Sequence, residues 1–159
     1  MTSIAKVTEL DVVALESLRS ESVAEGYRFV ARLCEEWRSG ANRFDAPGEG
    51  LFVAQNLTGI VGVCGLNRDP YVDDLSIGRV RHLYVSPSCR RQGIGRALVT
   101  TVTEAARIRF RMIRLRTTPD AGSFYRALGF QCVSSGNDPM YVLELGISRS
   151  LDRNLPCQT

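Results

Sequence analysis

The stretch of this 159-residue chain richest in chemistry runs from His82 to Arg96, "HLYVSPSCRRQGIGR". An apolar run and a proline lead to Arg90 and Arg91. Gly93 and Gly95 then open a segment whose apolar residues Ile94, Leu98, Val102 and Ala105 recur at helical spacing. Glycines at a strand-to-helix junction let the backbone turn tightly and approach a ligand without a Cβ in the way. The first N–H groups of a helix have no internal partner and lie at the positive end of its dipole, so they suit an anion. Arg90, Arg91 and Arg96 set charged donors beside them, and the expected ligand group is a pyrophosphate. Two common phosphate loops fail the test of spacing. Counting from Gly93 gives G-I-G-R-A-L, with Leu98 where a dinucleotide fingerprint needs a small residue, and no G-K-[ST] follows as a P-loop requires.

The elements that must hold this loop are legible from period and punctuation. "IAKVTEL" reads as a strand, and a helix over about 9–20 would bury Val12, Val13, Leu15 and Leu18. Residues 22–38 read as a second helix with Phe29, Val30, Leu33 and Trp37 inward. "LFVAQ" and "GIVGVCGLN" form a hairpin across "NLTG", and a longer strand covers about 78–85. After the helix that follows the glycines, "MIRLRT" is a strand. Thr118-Pro119-Asp120 starts a last helix, with Ala121, Phe124 and Leu128 on one face and Gly129 ending it. "FQCVS" and "MYVLEL" close the chain across "SSGNDP". The order β-α-α-β-β-β-α-β-α-β-β implies an α/β fold, a mixed sheet with helices on both faces. One domain over residues 1–146 and a polar tail over 147–159 are expected.

Composition narrows the class. The chain is 44% hydrophobic and 23% charged, ordinary for a globular protein, and no apolar run is long enough to span a membrane. Cys34, Cys64, Cys89, Cys132 and Cys157 are scattered and never in C-x-x-C spacing, and the first residues lack a secretory pattern. A cytoplasmic, metal-free protein is expected. Residues 1–78 hold seven basic and twelve acidic residues, whereas 79–116 hold ten arginines against Glu104 alone. Such a basic stretch suits an anionic partner. Its spread over several elements argues against a nucleic-acid groove reader.

The spacing Arg90-x-x-Gly93-x-Gly95, preceded by "LYVSP" and followed some thirty residues later by "SFYRALGF", resembles the GNAT superfamily of acetyl-CoA-dependent N-acetyltransferases. That resemblance implies a splayed central strand pair with the pantetheine arm of acetyl-CoA in the gap. It implies that Leu83, Tyr84 and Val85 pair with the arm through their backbone. It also implies that Arg91, Gln92, Gly93, Ile94, Gly95 and Arg96 wrap the pyrophosphate, with Arg90 beside them. Tyr125 falls at the family's general acid, which protonates the departing thiolate and adjoins the cofactor. Its other reading is a core tyrosine packed beside Phe124. Thr118 stands where many members carry an Asn that touches the cofactor arm, and its shorter hydroxyl also suits a helix cap.

The acceptor amine must be neutral to attack, so a base or a water chain is expected. His82 is the sole histidine, and strand alternation sends it to the face opposite Arg81 and Leu83. A lone histidine on a strand is more often a structural residue. Glu25, Glu35, Glu36, Asp73 and Asp74 are the alternative bases. The resemblance builds the acceptor site from the N-terminal helices and nearby loops, here Tyr27, Arg28, Phe29, Trp37, Asn42, Arg43 and Phe44. Arg28 and Arg43 suit an acceptor carboxylate, while the acidic N-terminal half suits a cationic amine. The implied reaction is direct transfer of acetyl from acetyl-CoA to a primary amine in a ternary complex. Cys89 has no paired base to make it an acyl carrier. The rival is a GNAT-fold module that senses acyl-CoA without turnover. The resemblance also implies a homodimer paired through the C-terminal strands.

Overall fold

Short apolar runs bounded by turn residues become a seven-stranded sheet in the computed structural model, which describes residues 1–146. The strands are β1 (Ser3–Val7), β2 (Gly50–Asn56), β3 (Gly59–Arg68), β4 (Ile77–Val85), β5 (Met112–Arg116), β6 (Gln131–Ser134) and β7 (Met140–Glu144). The helices are α1 (Glu16–Ala24), α2 (Phe29–Ser39), α3 (Ile94–Ala106) and α4 (Gly122–Ala127). Their order along the chain is the one the sequence implies. Spatially the strands run β1-β2-β3-β4-β5-β7-β6, antiparallel except for the parallel β4–β5 pair. The expected polar tail and Cys157 lie outside the described residues.

Each face of the sheet carries its own apolar layer. Ile94, Leu98, Val99, Val102 and Ala106 form one stripe of α3 and pack against Ala54, Cys64, Leu66 and Val80. On the other face Leu15, Leu18, Val30, Leu33 and Trp37 cover Leu51, Val53, Val63 and Tyr84. Both layers grip the middle strands, so β3 and β4 are held from above and below. The ends of β4 are therefore a rigid platform.

The first two helices differ from the sequence reading. A 3-10 turn over Val12–Leu15 precedes α1, which runs on through Ser22, and α2 starts only at Phe29. The break lies at Gly26, whose φ of +88° L side chains rarely adopt. No proline marks this junction, and continuous helix formers around it hide the stop. Val13 is consequently exposed rather than inward. In α4 the fully buried positions are Gly122 and Tyr125, with Phe124 only half-buried. Thr118 does precede Pro119 at the start of a turn, but its side chain makes no capping hydrogen bond.

β4 and β5 share only three paired positions, Ile77 with Met112, Gly78 with Ile113 and Arg79 with Arg114. Beyond Arg79 the two strands part, and β4 continues alone on that edge to Val85. Against β3, the interval from Arg81 to Tyr84 spans three steps while Gly65 to Val63 spans two. β4 thus carries a bulge at His82, whose φ is +60°. Val80 packs in the α3 layer, His82 and Tyr84 face the α1–α2 layer, and Leu83 and Val85 return to the α3 side. Simple alternation, which sets His82 opposite Arg81, is corrected here. The extra residue lets Arg81 reach Asn67 and the loop after α2 while the next side chain, His82, meets Phe29 and Phe44.

Candidate active site

Parting of β4 from β5 opens a groove of about 1280 Å³. Its wall includes Leu83, Tyr84, Val85, Arg90, Arg91, Gly93, Ile94, Gly95, Arg96, Thr118 and Tyr125, so every sequence-derived cofactor residue except Gln92 borders one cavity. Gln92 is an exposed member of the same loop. The loop after β4 starts with a 3-10 turn over Pro87–Cys89 and then uses two left-handed residues, Arg91 at φ +62° and Gly93 at +80°. Interspersed left-handed residues turn successive amides towards one side, the geometry of an anion nest. Among the described residues the amides of Arg91 to Arg96 donate no backbone hydrogen bond. The first helical bond runs from the Ala97 amide to the Gly93 carbonyl. A Cβ on Gly93 would meet no protein atom, and one on Gly95 would lie 3.6 Å from Phe124 and 3.7 Å from Val85. Gly93 faces open space, consistent with a ligand approaching its backbone, whereas Gly95 packs at ordinary contact distance under Phe124 and Val85.

Arg90 is spent elsewhere. Its guanidinium donates to both oxygens of Glu25, its Nε donates to the Val85 carbonyl at 3.0 Å, and it lies 5.4 Å above the Tyr84 ring. The Tyr84 hydroxyl donates to the same Glu25 carboxylate. This latch ties the end of α1 to the loop and leaves Arg91 and Arg96 as the loop's charged donors. Hydrogen bonds from Arg90 and Tyr84 hold the Glu25 carboxyl below its ordinary range. Glu25 is therefore a strut and a poor proton acceptor.

Tyr125 lines the groove, its ring 5.0 Å from Phe124, 5.6 Å from Phe130 and 6.1 Å from Tyr141. Burial pushes its phenol upward, so the proton is retained at neutral pH. Among the described residues its hydroxyl has no protein partner. A packed aromatic with a protonated, unengaged hydroxyl at a cavity wall satisfies both readings of this residue. Thr118 lines the wall with an uncommitted hydroxyl, a consequence of the missing cap.

Another part of the groove wall is His82, with Tyr27, Phe29, Arg32, Tyr71, Arg79 and Arg81. His82 is buried, and Phe29 approaches its ring without reaching hydrogen-bond geometry, so both ring nitrogens lack a partner. Burial first, then the charges of Arg81 and Arg32, lower its pKa to about 3. The imidazole is neutral and a weak base. Phe44 meets it edge-on at 6.1 Å and rests over Gly65, where a Cβ would come within 2.5 Å of the ring.

The remaining candidates scatter. Glu35 is exposed, Glu36 borders a separate 400 Å³ pocket, and Asp73 is an exposed loop residue. Asp74 accepts from the Ser76 hydroxyl and amide and from Arg111, which hold its carboxyl at about 2. None of the five carboxylates named from sequence lines the groove; Asp120 and Asp138 do. Tyr27 and Phe29 line it, Trp37 is core, and Asn42 and Arg43 belong to the separate pocket, which meets the groove at Arg81. Arg28 borders neither cavity. Sequence reading did not name Arg32, Tyr71, Arg79 and Arg81, which also line the groove. The available signal was the run of arginines entering a strand whose end carries the loop.

Residues 47–132, over half of the chain, match the family model of the acetyltransferase (GNAT) domain. The chain belongs to the GNAT acetyltransferases. A protein of Exiguobacterium sp. 255-15, provisionally assigned as an acetyltransferase, is 29% identical, with 98% of this chain and 99% of that one covered at a TM-score of 0.80. A GNAT-family acetyltransferase of Staphylococcus aureus Mu50 shares the GNAT fold at TM-score 0.73 and 18% identity, over 92% of this chain and 100% of its own. The fold recurs in yncA of Salmonella typhimurium, provisionally assigned as an acetyltransferase and solved with acetyl-CoA. It aligns at TM-score 0.69 and 13% identity, over 92% of this chain and 95% of its own. No curated protein matches the GNAT chain in sequence.

Proposed function

We propose that residues 1–146 form one catalytic domain that moves an acetyl group from acetyl-CoA to a primary amine of a small molecule or peptide. Attack is direct, in a ternary complex. The observation that carries this reading is the single groove running from unpaired loop amides at Gly93 to the phenol of Tyr125. The amides of residues 91–96 with Arg91 and Arg96 bind the pyrophosphate. Beyond Arg79 the β5-side edge of β4 is an open strand edge, suited to the amide-rich arm. Acetyl-CoA supplies the activated thioester. Tyr125 protonates the departing sulfur, and its raised phenol keeps the proton available until negative charge develops nearby. With His82 so weak a base, the amine's proton leaves through water or is already lost. That the Salmonella protein of the same fold was solved with acetyl-CoA supports acetyl-CoA as the donor.

Thermal shift with acetyl-CoA, CoA and NAD tests the cofactor, because stabilisation follows ligand concentration over Kd. Large shifts with the first two and none with NAD are expected; no shift with acetyl-CoA refutes the reading. Thiol release on an amine panel then tests turnover. The absence of Glu25, Asp73 and Asp74 from the groove favours the rival, an acyl-CoA sensor, which predicts saturable binding without thiol release.

Other features support the setting. Cys34, Cys64, Cys89 and Cys132 are unpaired, in keeping with a reducing cytoplasm, and no described helix is long and apolar enough to cross a membrane. Five of the ten arginines in 79–116, namely Arg79, Arg90, Arg107, Arg111 and Arg114, pair with carboxylates, which argues against a nucleic-acid surface. β6 is an exposed edge strand carrying exposed Val133, and a homodimer paired there would cover it. Sedimentation of a Val133→Lys variant as a monomer, against a dimeric parent, would support that pairing; an unchanged state would remove it.

A further inference from the structure

We infer that the groove wall around His82 selects an acceptor carrying a carboxylate on the same molecule as its amine, held by Arg32 and Arg81. The inference rests on the acetyl-transfer reading and narrows it. Arg32 comes from α2 and Arg81 from β4, yet both border the same groove. Both also act electrostatically on the His82 imidazole. Among the described residues neither has an acidic partner, although Arg81 has a long contact of 3.5 Å to the Asn67 amide oxygen. Their neighbour Arg79 differs, for buried Asp69 lies 3.6 Å away and Tyr71 stacks on it. Glu25 is committed to Arg90. The groove's carboxylates, Asp120 and Asp138, sit on the facing wall built from the start of α4 and the β6–β7 turn.

Two guanidiniums with no ion-pair partner among the described residues border this groove, and Arg81 also borders the adjoining pocket that holds Glu36, Asp45 and Glu49. The two together attract an anion into the groove and repel a polycation. A planar fork matches a carboxylate in particular. His82 adds a neutral ring with no partner for either nitrogen, able to give one hydrogen bond and take another. Tyr27 and Phe29, 5.5 Å apart, supply an apolar flank for the rest of the molecule. The same positive field serves the chemistry. Cations near an ammonium favour its neutral form, which is the form that attacks. A site without a strong base is thereby helped to present a free amine. The pattern fits a free amino acid or the free carboxyl end of a short peptide, and does not fit a polyamine.

Calorimetric titration into the CoA-saturated protein tests this with L-phenylalanine, L-methionine, the dipeptide Gly-Phe, the carboxamide of each, and spermidine. Carboxylates are expected to bind about tenfold to a hundredfold more tightly than their carboxamides, the value of a charge-assisted hydrogen bond. The free amino acids and the dipeptide distinguish the two sources of the carboxylate. Arg32→Gln and Arg81→Gln should each erase the preference, and Arg32→Lys should restore part of it. The thermal shift with acetyl-CoA should stay unchanged in all three. Arg32 is exposed, so its variant folds even if Arg81→Gln does not. Equal binding of acids and amides, tighter binding of spermidine, a preference surviving Arg32→Gln, or no binding by any acid overturns the subsite. If acetyl-CoA shifts melting in those cases, the broader transferase reading still stands; if it does not, both fall.

Discussion

Lowering the pH from 7.5 to 5.0 should weaken the fold through His82, and the size of the effect follows from its surroundings. In water the imidazole titrates near 6.5, while in the fold burial and the charges of Arg81 and Arg32 lower it to about 3. The unfolded chain therefore binds a proton that the native chain refuses. The stability of the neutral ring is present in full above about pH 6.5 and is lost as pH falls from there towards 3. At pH 5 a difference of this size amounts to about 2 kcal/mol, which for a chain of this length lowers Tm by about 4–8 °C. Glu25 and Asp74, whose carboxyls are lowered, act in a more acid window. His82 is the only histidine, so a loss confined to pH 5–6.5 belongs to it. The assay is urea unfolding at both pH values for the parent and for His82→Asn. Asn tolerates the positive φ at this position and does not titrate. Any constant offset from the smaller side chain cancels, because the quantity read is the change with pH. The parent should lose about 2 kcal/mol more than the variant. Equal losses, or NMR titration of His82 with a midpoint near 6.5, would refute the reasoning.

Gly65→Ala should destabilise by about 1–3 kcal/mol, because its Cβ would meet the Phe44 ring at 2.5 Å and the Arg81 carbonyl at 3.3 Å; an unchanged urea midpoint contradicts this. Gly93→Val places a branched side chain on the open side of the loop at φ +80°, so the chain should fold with some strain yet show no thermal shift with acetyl-CoA. A retained shift would show that the phosphates bind elsewhere. Tyr125→Phe should lower kcat about a hundredfold while the Kd for acetyl-CoA holds, and unchanged turnover would leave this tyrosine a core residue alone.

What the sequence showed, and what it hid, divides along a physical line. Gly93 and Gly95 were legible because a strand-to-helix turn needs unusual backbone, and glycine reports that need directly. The middle strands were legible because strands covered on both faces read as short apolar runs bounded by turn residues. The break between α1 and α2 was hidden because one glycine at position 26 carries it among good helix formers. The capture of Arg90 by Glu25 was hidden for another reason: the partners lie 65 residues apart, and no local pattern reports such a pair. Arg32 and Arg81 were unreadable as partners on the same grounds, since only the packing of α2 against β4 brings them to one wall.

The failure of strand alternation at His82 bears most on function. One extra residue in β4 changes which side chains point where over the last third of the strand, as it must when the side-chain period is two. Without it, Leu83 and Val85 would turn to the α1–α2 side and Tyr84 to the α3 side, and the Glu25 latch could not form. With it, the residue before the bulge and the bulged residue both line the groove, while the remaining backbone edge runs free to the glycine loop. The left-handed φ of His82 costs free energy, and the ring's unpaired nitrogens cost more. A core with no other task would be more stable with a regular strand and an apolar residue there. Strain and desolvation concentrated on the wall of one groove are intelligible if the bulge is what makes that groove a single site.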